Sequence, residues 1–310
     1  MKEFTFTGFK DYPVNLAVWD EVEGQPKAVV QLLHGMVEHV KRYDEFARFL
    51  NKHGYVVLGD DHRGHGVTAQ GNLGVVPEGD CFADTVEDEI LIGKYARETY
   101  KAPLLVFGHS YGSFLTQRYM QKSSEIAGVI LCGSACMDIP DVKAGLAVAK
   151  IQAALCGKNK KANLIRKMSF GPYNAQFKDE KKENAWLTRD DERRQAYNAD
   201  PMCNYTMSIA FYTSFFSALS KLYSAQALSG IPKEMPVFII SGDKDPVGGS
   251  GKLIEKLYEV YKNNGLVNVS VKLYQGARHE LLNEINREEV MADILSFYDK
   301  VLDARAEKAE

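Results

Sequence analysis

Six nearly continuous apolar runs punctuate the 310 residues: Ala28 to Leu33, Tyr55 to Leu58, Leu104 to Phe107, Gly128 to Cys132, Val237 to Ile240 and Val269 to Leu273. A short apolar run without polar alternation reads as a strand buried on both faces. Most of the runs are separated by stretches with the apolar period of a helix, at Tyr43 to Lys52, Phe82 to Tyr100, Ser113 to Lys122, Lys252 to Tyr261 and Arg287 to Leu302. Parallel neighbours need a crossover and a helix supplies it, so the pattern specifies an α/β fold with a mostly parallel, doubly wound sheet. Ahead of it, Glu3 to Thr7 and Val14 to Trp19 alternate like an antiparallel pair joined by a Pro-containing turn. From Met137 to Ile231 the rhythm breaks, with several helical segments and no clear β-run. The chain therefore divides into a core of residues 1–136 and 232–310 and a helical insertion of residues 137–231. The charged tail, Asp303 to Glu310, is expected to fray.

Bulk composition excludes several function classes. A hydrophobic content of 45%, a charged content of 25% and a formal net charge of -3 describe an ordinary globular protein. No basic run points to nucleic acid. The N-terminal residues read as a strand and lack the unbroken apolar stretch of a secretory signal, and no window approaches the length of a membrane span. Five cysteines at wide spacing imply reduced thiols and a cytoplasmic location. Cys132 and Cys136, the closest pair, lack C-x-x-C spacing and read as small apolar residues at a strand end.

The chemistry centres on Gly108-His109-Ser110-Tyr111-Gly112, between the apolar run Leu105-Val106-Phe107 and the helix of Phe114, Leu115 and Tyr119. A G-x-S-x-G pentapeptide alone is a weak signal, but strand before and helix after make it the sharp turn that presents a nucleophilic serine. The glycines belong there because strand and helix backbones approach where side chains would clash. A serine hydroxyl needs a base, and the base needs an orienting acid, following the serine in the order acid, then histidine. Asp243 and Asp245, just past Pro236 to Ser241, both qualify as the acid. Of seven histidines only His279 lies beyond them and after the last expected strand, whereas the His109 side chain should diverge from that of Ser110.

Leu32-Leu33-His34-Gly35-Met36 ends a buried strand at the carboxyl edge of the sheet, where open α/β sheets put their sites. The Met36 and Tyr111 backbone N–H groups are the candidate donors to the oxyanion of a tetrahedral intermediate. Asp60-Asp61-His62-Arg63-Gly64-His65-Gly66 has carboxylates and H-x-x-H spacing, but reads as a hydrogen-bonded loop with tight turns at Gly64 and Gly66 rather than as a metal site.

His34-Gly35-Met36-Val37-Glu38-His39 with Arg42-Tyr43, Asp61 to Gly66, Gly108 to Gly112, Ser241-Gly242-Asp243-Lys244-Asp245-Pro246-Val247 and Gly276-Ala277-Arg278-His279-Glu280 together resemble the monoacylglycerol lipase and lysophospholipase family, also described as serine aminopeptidase-like hydrolases. The likeness spans Lys27 to Glu284 and implies an α/β-hydrolase fold with a helical cap between the sixth and seventh sheet strands. It implies Ser110, Asp245 and His279 as the catalytic triad and Met36 and Tyr111 as oxyanion donors. Asp245 is preferred to Asp243 mainly on this likeness. Many relatives carry Met where this chain has Tyr111 and Gly where it has Ser113, so both are expected to narrow the acyl pocket.

The insertion carries no motif and is read physically. Ala144 to Leu155 is apolar and bounded by lysines, and Ile209 to Tyr223 concentrates Phe211, Phe215 and Phe216. These segments read as the core of the cap and, on another helix face, as an acyl-binding wall with the three phenylalanines as its expected residues, while the basic, apolar face suits transient contact with a membrane surface. The expected activity is hydrolysis of a small-molecule ester or lipid without cofactor or metal. The competing enzyme, a peptidase that reads an N-terminal ammonium, requires an acidic recess, for which Glu38 or Asp190, Asp191 and Glu192 are the candidates. A third reading, a hydrolase-like ligand sensor, conflicts with the presence of every triad member.

Overall fold

The computed structural model describes residues 1–308. Its elements begin with β1 (Lys2–Thr7), β2 (Pro13–Trp19), β3 (Ala28–Leu33), α1 (Asp44–Lys52), β4 (Tyr55–Asp60) and α2 (Cys81–Tyr100). β5 (Leu104–His109), α3 (Tyr111–Lys122) and β6 (Gly128–Cys132) follow. Five helices then intervene: α4 (Pro140–Cys156), α5 (Asn163–Ala175), α6 (Asp191–Ala199), α7 (Ile209–Leu222) and α8 (Ala225–Ser229). β7 (Val237–Gly242), α9 (Lys252–Asn263), β8 (Val269–Tyr274) and α10 (Arg287–Glu307) complete the chain.

All eight strands form one sheet in the order β1-β2-β4-β3-β5-β6-β7-β8. The β1–β2 and β2–β4 pairs are antiparallel and the other five are parallel. Alternate side chains of each central strand feed opposite faces. Val29 and Leu33 of β3 and Leu104 and Val106 of β5 pack with Phe82, Val86 and Phe114 of α2 and α3. Val30, Leu32, Leu105 and Phe107 face the other way, toward Phe46 and Leu50 of α1 and Ile294 and Tyr298 of α10. Each large side chain buried in this way stabilises the fold by about 1.5–3 kcal/mol. Strand order reverses at β3, whose neighbours are β4 and β5, so a crevice opens beyond the carboxyl ends of β3 and β5.

Two expectations fail at the periphery. β8 is largely accessible, with Val271 36% exposed, because it is the edge of the sheet. The charged tail does not fray from Asp303: α10 continues to Glu307, anchored by buried Val301 and carried on by the strong helix formers Ala304 and Ala306. Ala309 and Glu310 lie outside the described residues.

Candidate active site

The turn between β5 and α3 is forced by close packing. Ser110 adopts φ 50°, ψ -115°, a conformation costly for any residue with a side chain. Its amide donates to the Cys132 carbonyl at 2.9 Å, fixing the turn to β6. A Cβ on Gly108 would lie 2.6 Å from the Gly112 carbonyl oxygen, and one on Gly112 only 2.1 Å from that of Leu33. Both glycines are therefore required by the approach of α3 to β5 and β3, as the spacing of the pentapeptide suggested.

His279 and Asp245 come from the two loops that follow β8 and β7. His279 Nδ1 lies 3.0 Å from Asp245 Oδ2, and both residues are buried. Asp245 is held in turn by the Ser241 hydroxyl at 3.0 Å and the Val247 amide at 2.9 Å. Asp243 is not brought to the histidine; its Oδ1 accepts from the Gly276 amide at 2.7 Å. Burial alone would lower the pKa of His279, but the facing Asp245 carboxylate outweighs it and raises the pKa above its ordinary value. The imidazole is wedged between the rings of His109 and Trp186, at centroid distances of 4.9 and 5.0 Å. His109 is pushed down to about 4 by burial and by His279, so it stays neutral. Ser110 is half-buried and lines the same cavity as His279, without a hydrogen bond between the two side chains in this conformation.

Across the crevice, the loop after β3 sets Met36 beside the elbow. Tyr111 is the first residue of α3, so its N–H has no intrahelical acceptor, and the helix N-terminus favours negative charge there. Val37 has φ 56°, an outlier for a β-branched residue. Its carbonyl is gripped from the insertion by the Asn204 amide at 3.0 Å and the Tyr197 hydroxyl at 3.4 Å.

Glu38 lines the cavity, as expected, but its carboxylate is already engaged. Its carboxylate accepts from the Gly35 amide at 2.6 Å and the Tyr43 hydroxyl at 2.9 Å, and pairs with Arg42. Arg42 also grips Glu280 at 2.7 and 2.9 Å. Burial opposes ionisation of Glu280, but Arg42 prevails and holds it down to about 2. Glu38 is thus spent on the loop. The acids at 190–192 lie away from the cavity: Asp190 caps α6 and pairs with Arg287, Asp191 pairs with Lys182, and Glu192 is exposed.

The cavity over Ser110 and His279 has a volume of about 860 Å³. Phe215 and Phe216 line it with Ile139, Val142, Val148 and Leu219, while Asn163, Asn174 and Asn184 contribute a polar side. Phe211 does not line it; one helical step away, it packs on Tyr111 at 5.0 Å. Tyr111 touches the cavity but directs its ring among Phe82, Phe211 and Phe215. Ser113 does not narrow the cavity, because its hydroxyl turns back to the Ser110 carbonyl at 2.6 Å and to Ser134 at 2.8 Å. In the 60–66 loop, Asp61 accepts from the Val40 and Val67 amides and Arg63 pairs with Asp88, as a hydrogen-bonded loop requires.

Trp186 and Asn204 went unrecognised in the sequence, since both reach the site from the insertion and carry no local motif. Glu280 and Arg42 had a usable signal: charged residues inside stretches that also hold the site histidine and the candidate oxyanion loop.

Known proteins match this chain over most of its length. A monoacylglycerol lipase of Mycolicibacterium smegmatis is 28% identical over 300 residues, covering 95% of this chain and 96% of that protein. The human monoglyceride lipase is 27% identical over 84% of this chain and 78% of its own length. Among solved structures, a thermostable carboxyl esterase from Bacillus coagulans, determined in complex with glycerol, superposes with a TM-score of 0.89 at 28% identity, covering 97% and 98% of the two chains. The model of the family described as serine aminopeptidase, S33 matches residues 24–286, and with the eight-stranded sheet and its inserted helices this makes the chain a member of that family of α/β-hydrolases.

Proposed function

We propose that the protein is a serine hydrolase that cleaves carboxylic esters of monoacylglycerol or lysophospholipid type through an acyl-serine intermediate. The observation that carries the reading is the largely apolar cavity standing over Ser110 and the His279–Asp245 pair. Its volume suits a single acyl chain with a small headgroup. Ser110 attacks the ester carbonyl as His279 takes its proton, and Asp245 holds the imidazole with Nε2 toward the serine. The Met36 and Tyr111 amides receive the oxyanion. His279 then protonates the leaving alcohol and activates the water that releases the acid. Residues 137–231 act as a cap on the core formed by 1–136 and 232–310. The lipase and esterase activities named for the relatives support the same chemistry.

The peptidase reading is disfavoured because the acid nearest the elbow, Glu38, is neutralised by Arg42. Glu280, also on the wall, is held by the same Arg42, and Asp141 and Glu183 share the remaining wall with Arg166 and Lys167, so the recess is mixed in charge rather than uniformly acidic. A series of nitrophenyl esters assayed beside aminoacyl nitroanilides separates the two. Each buried methylene contributes about 0.8 kcal/mol, or roughly fourfold in affinity. Catalytic efficiency should rise from acetyl to at least butyryl or octanoyl, and Phe215→Ala or Phe216→Ala should flatten the rise. A steady fall from acetyl onward, together with turnover of nitroanilides, would replace this reading with the peptidase.

The cap also supports transient docking on an anionic membrane surface. Ile151 and Leu155 of α4 and Leu164 and Met168 of α5 are 51–80% exposed, and lysines 150, 158, 160, 161 and 167 accompany them. Among the described residues no helix is long and apolar enough to cross a membrane. Ile151→Glu with Leu155→Glu should cut co-sedimentation with phosphatidylglycerol vesicles by roughly tenfold or more. Unchanged sedimentation would remove the cap from the interface. The five free cysteines support a reducing, cytoplasmic setting.

A further inference from the structure

The loop after β3 is braced by histidines that the proposed chemistry does not use. His34 and His62 are fully buried and stack with ring centroids 4.0 Å apart. The backbone N–H of His62 donates to His34 Nε2 at 3.1 Å, which assigns the His34 proton to Nδ1. That proton is donated to the Gly35 carbonyl at 2.7 Å. Gly35 C=O and Met36 N–H belong to one planar trans peptide, so holding the carbonyl aims the amide the opposite way. The preceding peptide is held on both sides too. Its N–H, that of Gly35, donates to Glu38 at 2.6 Å, and its carbonyl, that of His34, lies 3.2 Å from His62 Nε2.

The other nitrogen of His62 faces two acids. Nδ1 lies within ion-pair distance of both, 2.9 Å from Asp60 Oδ1 at the end of β4 and 3.1 Å from Glu89 Oε1 on α2, although its N–H is aimed squarely at neither. The His34 carbonyl is an acceptor, so Nε2 carries a proton, and the Asp60 carboxylate beside Nδ1 favours a second proton there. We propose that His62 is a permanently protonated, buried imidazolium, clamped by Asp60 and Glu89, and that it is a positioning residue for the peptide that presents the Met36 amide. The kinetic consequence rests on the ester-hydrolase reading; the protonation state does not.

The surrounding charges fit. Burial disfavours the imidazolium, but Asp60 and Glu89 raise its pKa well above the ordinary value. Glu89, which also accepts from the Gln31 side chain at 2.6 Å, is pushed up to about 8 by burial and by Asp60. Burial and the neighbouring Asp60 thus favour the protonated form of Glu89. His34 and His65, the other titratable rings packed on His62 from the same loops, are both driven down by burial and by His62, and Tyr111 meets it edge-on at 5.9 Å as a neutral phenol. The Asp60, His62 and Glu89 donor set is also one that a divalent metal ion accepts, so the test must separate ion from proton.

The decisive measurement is the ring-nitrogen NMR spectrum of the protein labelled with ¹⁵N-histidine, with His62 assigned by its loss in His62→Gln. Both His62 nitrogens should remain protonated from pH 5.5 to 9. A neutral or ordinarily titrating ring, or a metal ion found by elemental analysis in the purified protein, would overturn the proposal. His62→Gln should shift the Met36 amide resonance and lower kcat by roughly 10- to 100-fold with KM little changed, less than the 10²- to 10³-fold typical of losing an oxyanion donor outright. The double variant His62→Gln/Asp60→Asn removes the orphaned carboxylate should the single one fold poorly. A folded double variant with an unmoved Met36 amide and full kcat would refute the positioning role. If the wild-type protein hydrolyses no ester, the functional reading fails, while the ring spectrum and the Met36 amide still decide the brace.

Discussion

Ser110→Ala is expected to abolish ester turnover and labelling by a fluorophosphonate, with the melting temperature little changed. Members of such a triad act as a unit, and removing the nucleophile costs on the order of 10⁴ to 10⁶ in kcat. The fold should tolerate the change because Ser110 is tied down through its backbone, by the bond to Cys132 and the close packing of Gly108 and Gly112. Retained labelling in the variant would remove Ser110 from the mechanism.

Asp245→Asn is expected to lower kcat by about 10⁴, because an amide facing Nδ1 permits the wrong tautomer. Asp243→Asn should cost less than tenfold, as its carboxylate only accepts from the Gly276 amide. A reversed ranking would make Asp243 the orienting acid. The same pair carries a pH signature. On the proposed mechanism His279 must be neutral to accept the serine proton, so activity should fall as pH drops through its raised pKa. The acid limb of kcat/KM should have its midpoint above about 6.5, the ordinary histidine value. Residual activity of Asp245→Asn should persist to lower pH, because burial then acts on the ring without the opposing carboxylate. An acid limb that does not move between the two proteins would assign it to another group.

The central sheet was legible because burial on both faces writes itself as unbroken apolar runs; Ala28–Leu33 and Gly128–Cys132 are strands with those very ends. β8 misled because its run is apolar enough for a core strand while its position, the sheet edge, is a property of strand order. Ser110 stood out through glycines whose spacing is dictated by backbone contact. The choice between Asp243 and Asp245 was not local: the two carboxylates meet different residues, Gly276 and His279, of one loop more than thirty residues on. Phe211 and Phe215 are a helical turn apart on one face and both touch Tyr111, so which of them lines the cavity depends on where α7 lies along it. Contacts such as Asn204 with Val37 join distant segments and leave no trace in either segment alone. The histidine cluster was legible only as a hydrogen-bonded loop, since its pairing with Glu89 depends on the packing of α2.

β6 and β7 are adjacent parallel strands, so the chain leaves the sheet for its five-helix excursion and returns one strand spacing away, about 4.8 Å. Such an excursion can change length and sequence without disturbing the register on either side, which makes it a natural cassette for exchanging substrate range among otherwise similar hydrolases. The exchange has one condition. The amide of Asn204 and the hydroxyl of Tyr197 hold Val37 in its left-handed conformation from within the excursion. A transplanted cassette must therefore bring an equivalent grip at that point, or the recipient will gain a new pocket over a loosened loop after β3.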